Sequence, residues 1–259
     1  MTVGEITRVL EAFAPLDIQE SWDNSGLLIG SPEDEVHGVL VGFDCTPELI
    51  DEAVEKGCDL VVTHHPLIFK GIRRINGKDP VGAAVMKAVQ NGVAVYAAHT
   101  TADKVIGGVS GAMAARLNLK DLEFLEPGPE GFGLGCVGNW AEPKTGKEAL
   151  DYVKERFGLK VVRCSKPLES PIRRVALLGG SGGGELGAAL KAGAQLYITA
   201  DVSYHNFFTP DGFMVMDIGH FESEVEIVDI FLSQIRKNFP NFASYKSARL
   251  DKSNPVYYF

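Results

Sequence analysis

Short apolar runs alternate with amphipathic segments along most of this 259-residue chain. Near its start, Ile6, Val9, Leu10 and Phe13 recur at helical spacing, and Pro15 follows them. This spacing predicts an amphipathic helix that ends before the proline.

The first half then alternates predicted strands and helices. Short apolar runs predict buried strands at 36–43, 60–63 and 93–98, of the kind found in parallel sheets. Helical patterns lie between them at 48–56 and 81–90. This order of strand, helix and strand predicts an α/β fold.

The second half repeats the plan of the first. Residues 174–179 resemble 38–42, and His99-x-x-x-Asp103 is echoed by His220-x-x-x-Glu224. Because the strand, helix and histidine–acid patterns recur in one order, we interpret them as an internal duplication. We therefore expect two similar α/β domains whose strand ends face a shared metal site. Identical residues recur at an offset of 136: Ala53, Gly57, Leu60 and Thr63 as Ala189, Gly193, Leu196 and Thr199.

A stretch rich in proline and glycine at 126–131 marks the expected domain boundary. We predict a first domain over residues 1–125 and a second over 126–224. The remaining segment, about 225–259, is expected to pack back onto the first domain.

Histidines and acids lie just beyond several apolar runs, where ligands of open α/β sheets gather. Imidazole and carboxylate together suit Fe, Mn, Zn, Ni or Co, whereas Mg and Ca prefer oxygen ligands. The pattern predicts a metal site, with His37 left on the surface. Its candidate ligands are His64, His65, His99, His205, His220, Asp103 and Glu224.

These ligands are too many for one open zinc site and suit two ions with a bridging carboxylate. A hydrogen-bonded role in the core is the alternative for any single histidine, but buried acids beside the imidazoles favour metal binding. Ser223 is expected to cap a helix together with Glu226, which would place Glu224 in the first turn of that helix.

A competing motif lies at Gly179–Gly183, which matches the G-x-S-x-G nucleophile elbow of serine hydrolases. Asp201 with His205 or His220 could complete a triad. The same glycines also suit a flexible turn or an anion-binding loop, and we expect phosphate or nucleotide contact there. The serine hypothesis leaves the other histidines and acids unexplained, so the metal hypothesis is preferred.

Composition and charge restrict the class of protein further. The net charge of −9 argues against broad nucleic-acid binding. The four cysteines show no C-x-x-C spacing, so free thiols are expected. The sequence has no signal-peptide pattern and no apolar run of membrane-spanning length, and we expect a cytoplasmic protein without a membrane partner.

Five motifs carry a family resemblance: Trp22–Leu27, Thr63–Lys70, Ala98–Asp103, Gly179–Gly182 and Gly219–Glu224. Together they resemble the NIF-three-like dinuclear metal centre proteins, often labelled GTP cyclohydrolase I type 2 homologs. The resemblance covers essentially the whole chain. It implies two similar α/β domains, two divalent transition-metal ions and a ring-like homohexamer.

The resemblance also implies a division of ligands. His64, Asp103 and Glu224 would hold one ion, while His65, His220 and the bridging Glu224 would hold the other. The remaining candidates, which would support the ligands or move protons, are His99, Asp201 and His205.

The family label implies hydrolysis of GTP, in which a metal-activated water opens the imidazole ring of guanine and formate leaves. No catalytic acid or base is assigned. The alternative is a non-catalytic, metal-dependent binding or regulatory hexamer, because fold and ligands alone do not establish turnover.

Overall fold

The computed structural model describes all 259 residues. The chain forms two compact units. The first comprises Met1–Ala102 and Ile227–Val256, and the second comprises Asp103–Glu226 and Tyr257–Phe259. Each unit contains one β-sheet with its own helices.

The regular elements are numbered in chain order. The strands are β1 Gly26–Ile29, β2 Gly38–Val41, β3 Leu60–Thr63, β4 Ala94–Ala97, β5 Lys120–Pro127, β6 Gly133–Lys144, β7 Arg163–Cys164, β8 Ile172–Leu177, β9 Leu196–Thr199, β10 Met214–Asp217 and β11 Ala243–Lys246. The α-helices are α1 Val3–Phe13, α2 Pro47–Glu55, α3 Pro80–Asn91, α4 Thr100–Asp103, α5 Val109–Arg116, α6 Gly146–Phe157, α7 Leu186–Lys191, α8 His220–Glu224 and α9 Ile227–Asn238. Short 3-10 turns lie at Leu16–Ile18, Pro129–Gly131, Tyr204–Phe207 and Leu250–Lys252.

Local sequence fixes the ends of the helices between the first strands. The Thr46 side chain caps α2, and that of Asp79 caps α3. Pro47 and Pro80 occupy the first helical positions, where a missing N–H costs nothing. Gly92 ends α3 in the left-handed conformation, with φ of 64°.

The sheet of the first unit has the strand order β1-β4-β3-β2-β11. Strands β2, β3, β4 and β11 pair in parallel, and β1 runs antiparallel to β4. All residues of β2, β3 and β4 are buried, as expected for strands covered on both faces. The predicted strands at 36–43, 60–63 and 93–98 contain these three strands.

The sheet of the second unit has the order β5-β6-β8-β9-β10-β7. Here β8, β9 and β10 are parallel, while β5, β6 and β7 add antiparallel edges. The predicted α/β class is confirmed in both units.

Strand register bears directly on the duplication. Val39 lies opposite Leu60 in the first sheet, and Val175 lies opposite Leu196 in the second. Both pairs are related by the offset of 136 that the sequence contains. The strands β2-β3-β4 and β8-β9-β10 are therefore equivalent in order, direction and register.

The boundary between the units differs from the predicted one at 125/126. It lies at 102/103, because Met113 and Ala114 of α5, and Leu117 directly after it, belong to the hydrophobic core of the second sheet. The C-terminal return lies with the first unit over 227–256, where β11 pairs with β2. None of the helices combines the length and apolar character needed to cross a membrane.

A buried carboxylate joins α2 to the segment after β11. Glu52 is 3% exposed and accepts hydrogen bonds from Ser247 Oγ (2.6 Å) and Ala248 N (2.8 Å). Replacing Glu52 with Ala leaves both donors without this acceptor, so we expect a loss of about 1–3 kcal/mol of unfolding free energy in urea. Glu55→Ala, which removes an exposed acid on the same helix, should change stability by less than about 1 kcal/mol. Equal losses in the two variants would contradict the assignment.

Candidate metal centre

The histidine pair follows β3, and one backbone carbonyl fixes its turn. The N–H groups of His64 and His65 both donate to Phe43 O, at 3.1 and 3.3 Å. The Thr63 hydroxyl donates to His65 O at 2.9 Å. The Phe43 ring also stacks on the His64 ring, with centroids 5.8 Å apart. The pair is thus held at the carboxyl ends of two adjacent strands, β2 and β3.

Three imidazoles of the first unit form a triangle. His64 and His65 have ring centroids 4.9 Å apart, and His99, which follows β4, lies 5.3 and 5.4 Å from them. Nitrogen atoms of the three rings lie within 4.8 Å of one another. The structure therefore brings His99 as close to the pair as a metal ligand would be.

Hydrogen bonds at Nδ1 orient the histidine pair. His64 Nδ1 donates to the Ala98 carbonyl at 3.0 Å, and His65 Nδ1 lies 2.7 Å from Asp44 Oδ1. A carbonyl oxygen can only accept, so the proton of neutral His64 is on Nδ1 and the lone pair is on Nε2. Metal-bound histidines are commonly held in this way.

Asp23 organises the third imidazole. Its carboxylate accepts from His99 Nδ1 (2.8 Å), the Ser25 hydroxyl (2.8 Å), and the Thr100 hydroxyl and N–H (2.6 and 3.1 Å). Burial acts to raise the pKa of Asp23, but the hydrogen bonds from His99, Thr100 and Ser25 outweigh it, so the pKa lies well below its usual range. Asp23 is therefore a carboxylate at neutral pH and fixes the His99 ring.

The second unit places a histidine and an acid on one helical turn. His220 and Glu224 begin and end α8, and His220 Nε2 lies 3.0 Å from Glu224 Oε2. His220 Nδ1 lies 2.7 Å from Asp201 Oδ2, just beyond β9. In the other copy of the repeat, α4 begins directly after His99 and ends at Asp103. The two histidine–acid pairs thus occupy equivalent positions after β4 and β10.

The glycine-rich loop after β8 supports Glu224. The Gly180 N–H donates to Ser223 Oγ at 2.9 Å, and Ser223 Oγ donates to His220 O at 2.8 Å. Gly180 has φ of 62°, and a methyl group there would overlap a carboxylate oxygen of Glu224. The loop therefore packs against the acid and hydrogen bonds to its helix.

Two expectations about this region are wrong or unsupported. Ser223 is not a helix cap: α8 begins after Gly219, and Glu224 is its last residue, while Glu226 pairs with Arg116. The expectation that the glycine loop contacts an anion loses support, because the Gly180 N–H already donates to Ser223 Oγ.

The structure does not assemble a triad at Ser181. The Ser181 side chain is exposed, and the two ring nitrogens of His220 lie beside carboxylates, those of Asp201 and Glu224. His205 lies on an exposed 3-10 turn against the rings of Tyr204 and Phe208.

Sequence reasoning missed two residues that orient the imidazoles, Asp23 and Asp44. Asp23 lies in a motif that carried the family resemblance but was given no role there. Asp44 lies just after β2. The expectation that ligands gather at the carboxyl ends of strands therefore applies to Asp44 as well.

One buried cysteine lies beside these groups. Burial, together with the charge of Asp44, raises the pKa of Cys45 to about 12. The thiol is therefore protonated at neutral pH.

These features define a two-unit α/β protein that carries imidazoles and carboxylates at equivalent strand ends. Neutral imidazole nitrogens with carboxylate oxygens fit a divalent transition metal. The model of the Duf34/NIF3 (NGG1p interacting factor 3) family matches residues 1–255. The chain belongs to this family, which confirms the resemblance that its motifs carry.

Curated relatives and solved structures agree with this assignment. The chain is 34% identical over 230 residues to the GTP cyclohydrolase 1 type 2 homolog of Clostridium perfringens, covering 86% of this chain and 87% of the relative. It is 34% identical over 247 residues to that of Streptococcus pneumoniae, covering 92% of each. Hypothetical protein SA1388 of Staphylococcus aureus is similar in structure, with a TM-score of 0.91, 26% identity, and coverage of 100% of this chain and 99% of that one. Reduced HcgD from Methanocaldococcus jannaschii has a TM-score of 0.80 at 25% identity, covering 97% and 98%.

The packing of Gly180 on Glu224 can be tested by Gly180→Ala. The methyl group must displace the carboxylate, and the left-handed backbone adds strain of about 1 kcal/mol or more. We expect lower thermal stability and weaker uptake of divalent metal, measured by titration. Gly184→Ala is the matched control, because no atom lies within 4 Å of the added carbon and its φ is not left-handed. Unchanged metal uptake in Gly180→Ala would contradict this role of the loop.

Proposed function

We propose that this protein is a dinuclear metal-dependent hydrolase of the GTP cyclohydrolase type. Its ligands would be His64, His65, Asp103, His220 and Glu224, with Glu224 bridging two divalent transition-metal ions. When bound, such ions would supply Lewis acidity, which lowers the pKa of a coordinated water molecule towards neutrality.

The observation that carries the proposal is the shared orientation of the imidazoles. His64, His65 and His220 each have Nδ1 engaged by an oxygen acceptor. With the proton on Nδ1, Nε2 remains as the coordinating nitrogen in all three rings. A histidine serving only the core has no need of this common arrangement.

The names of the relatives support GTP as the substrate. The relatives from Clostridium perfringens and Streptococcus pneumoniae are each named GTP cyclohydrolase 1 type 2 homolog. Hydrolysis of GTP at the guanine imidazole ring would release formate, which gives a direct assay.

His99 is suited to move a proton in such a reaction. Asp23 engages its Nδ1, so Nε2 can accept a proton while the carboxylate stabilises the resulting charge. Asp201 would orient His220 through the same type of contact.

A non-catalytic role is the second candidate. The family descriptor, NGG1p interacting factor 3, names an interaction and not a reaction. Metal binding would be common to both candidates, so turnover decides between them.

The metal proposal predicts two divalent ions per chain, measured by elemental analysis of protein purified without chelator. His65→Ala should reduce the content to about one ion, because only one of the two sites loses a ligand. His37→Ala is the control: this exposed histidine also contacts an aspartate through Nδ1, with Asp59 at 3.1 Å. Equal metal content in wild type and His65→Ala would exclude His65 as a ligand.

The hydrolase proposal predicts formate when metal-loaded protein is incubated with GTP. His99→Gln should keep the metal but lower kcat by about 10²-fold or more, the usual effect of losing a general base. His37→Gln should turn over at the wild-type rate. Formate no higher than in the chelated control would overturn the enzyme hypothesis and leave the binding role.

A further inference from the structure

A strongly basic loop follows the histidine pair in this otherwise acidic chain. Lys70, Arg73, Arg74 and Lys78 lie within nine consecutive positions that contain no acid, whereas the whole chain has a net charge of −9. All four side chains are exposed. We call residues 70–78 the basic loop.

The charges of the basic loop are not neutralised by the protein. Neither Lys70, Arg73, Arg74 nor Lys78 forms an ion pair. In the same unit, Lys87 pairs with Asp51. Unpaired like charges held close together repel one another, so a bound anion would relieve that repulsion.

The basic loop borders a cavity of about 1000 Å³ that also extends to Phe69, Asp79 and Val81. This volume lies at the upper end of the range for small-molecule sites. Asp79 is the one acid in its lining, and its Oδ1 accepts the Gly82 N–H at the start of α3. Of the charged residues in the lining, three are therefore cationic and one is acidic.

An aromatic pair connects this cavity with His99. The Phe69 ring lies 5.9 Å from the rings of both Trp22 and His99, and Trp22 lies 6.1 Å from His99. Trp22 is 58% exposed and Phe69 is 43% exposed. Asn24 Nδ2 donates to Ile68 O at 2.5 Å and ties the two segments together. Exposed aromatic faces of this kind stack on planar rings.

We propose that Lys70, Arg73 and Arg74 bind the phosphate groups of a nucleotide whose base contacts Trp22 and Phe69. Guanidinium groups bind phosphate oxygens in pairs, and a lysine adds a point charge. The base would then lie beside His99, with the phosphates over the cavity. The choice of guanine as the base rests on the proposed function, whereas the phosphate site rests on the charges and the cavity.

This assignment moves the phosphates away from the glycine loop after β8. The Gly180 N–H there is donated to Ser223, and the loop carries no cationic side chain.

The test is calorimetric binding to the full-length, metal-loaded protein, with four probes: GTP, guanosine, inorganic tripolyphosphate and an RNA oligonucleotide. The variant is Lys70→Ala, Arg73→Ala and Arg74→Ala combined. The control combines Lys147→Ala, Lys160→Ala and Lys166→Ala, which removes the same charge from exposed positions elsewhere. We expect the Kd for GTP and for tripolyphosphate to rise about tenfold or more in the loop variant only, with guanosine within about twofold. Trp22→Ala should weaken the binding of both guanosine and GTP.

Three results would overturn the proposal. The first is undetectable binding of both GTP and tripolyphosphate to the wild type. The second is an equal loss of GTP affinity in the control variant, which would mean non-specific attraction. The third is an RNA oligonucleotide that binds the loop more tightly than GTP does, which would identify a nucleic-acid surface. Intact GTP binding without formate would instead overturn only the hydrolase, so the two failures are distinguishable.

Discussion

The candidate centre depends on the hydrogen bond that each imidazole makes through Nδ1. The acceptors come from different segments: the Ala98 carbonyl, Asp44, Asp23 and Asp201. Each bond fixes both the ring orientation and the nitrogen that faces outward. Because these acceptors reach their partners only when the strands are paired, ligand geometry is a product of the folded sheets. The candidate metal-binding histidines therefore lie just beyond the ends of buried strands.

The internal duplication preserved the spacing between the histidine and the acid, but not the residue that holds the histidine. Both copies place a histidine after the third parallel strand and an acid four residues later. In the first copy, the histidine is held by Asp23, which precedes β1 and accepts five hydrogen bonds. In the second copy, His220 is held by Asp201, directly after β9. The two repeats therefore differ in the acceptor that orients the histidine.

The glycine-rich motif, which was expected to bind an anion, also has a different role in the structure. The glycine-rich motif has the composition of an anion-binding loop, yet its backbone packs against Glu224 and hydrogen bonds to α8. The unneutralised positive charge lies in the basic loop after the histidine pair, beside exposed aromatic rings. Glycine alone gives a backbone the freedom to approach a ligand or a neighbouring side chain, and packing decides which of these it meets.

Much of the fold could be predicted from the sequence, because apolar runs, proline, glycine and capping residues act locally. The parallel strands, the helices between them and the register offset of 136 all followed from such patterns. The domain boundary and the position of Ser223 did not, since α5 joins the second core through Met113 and its neighbours, and α8 begins at His220. Asp23 contacts a histidine 76 positions away along the chain. The sequence by itself determined which histidines and acids follow the buried strands. Only the tertiary structure decided which carboxylates orient the imidazoles, because that depends on contacts between segments that no local pattern encodes.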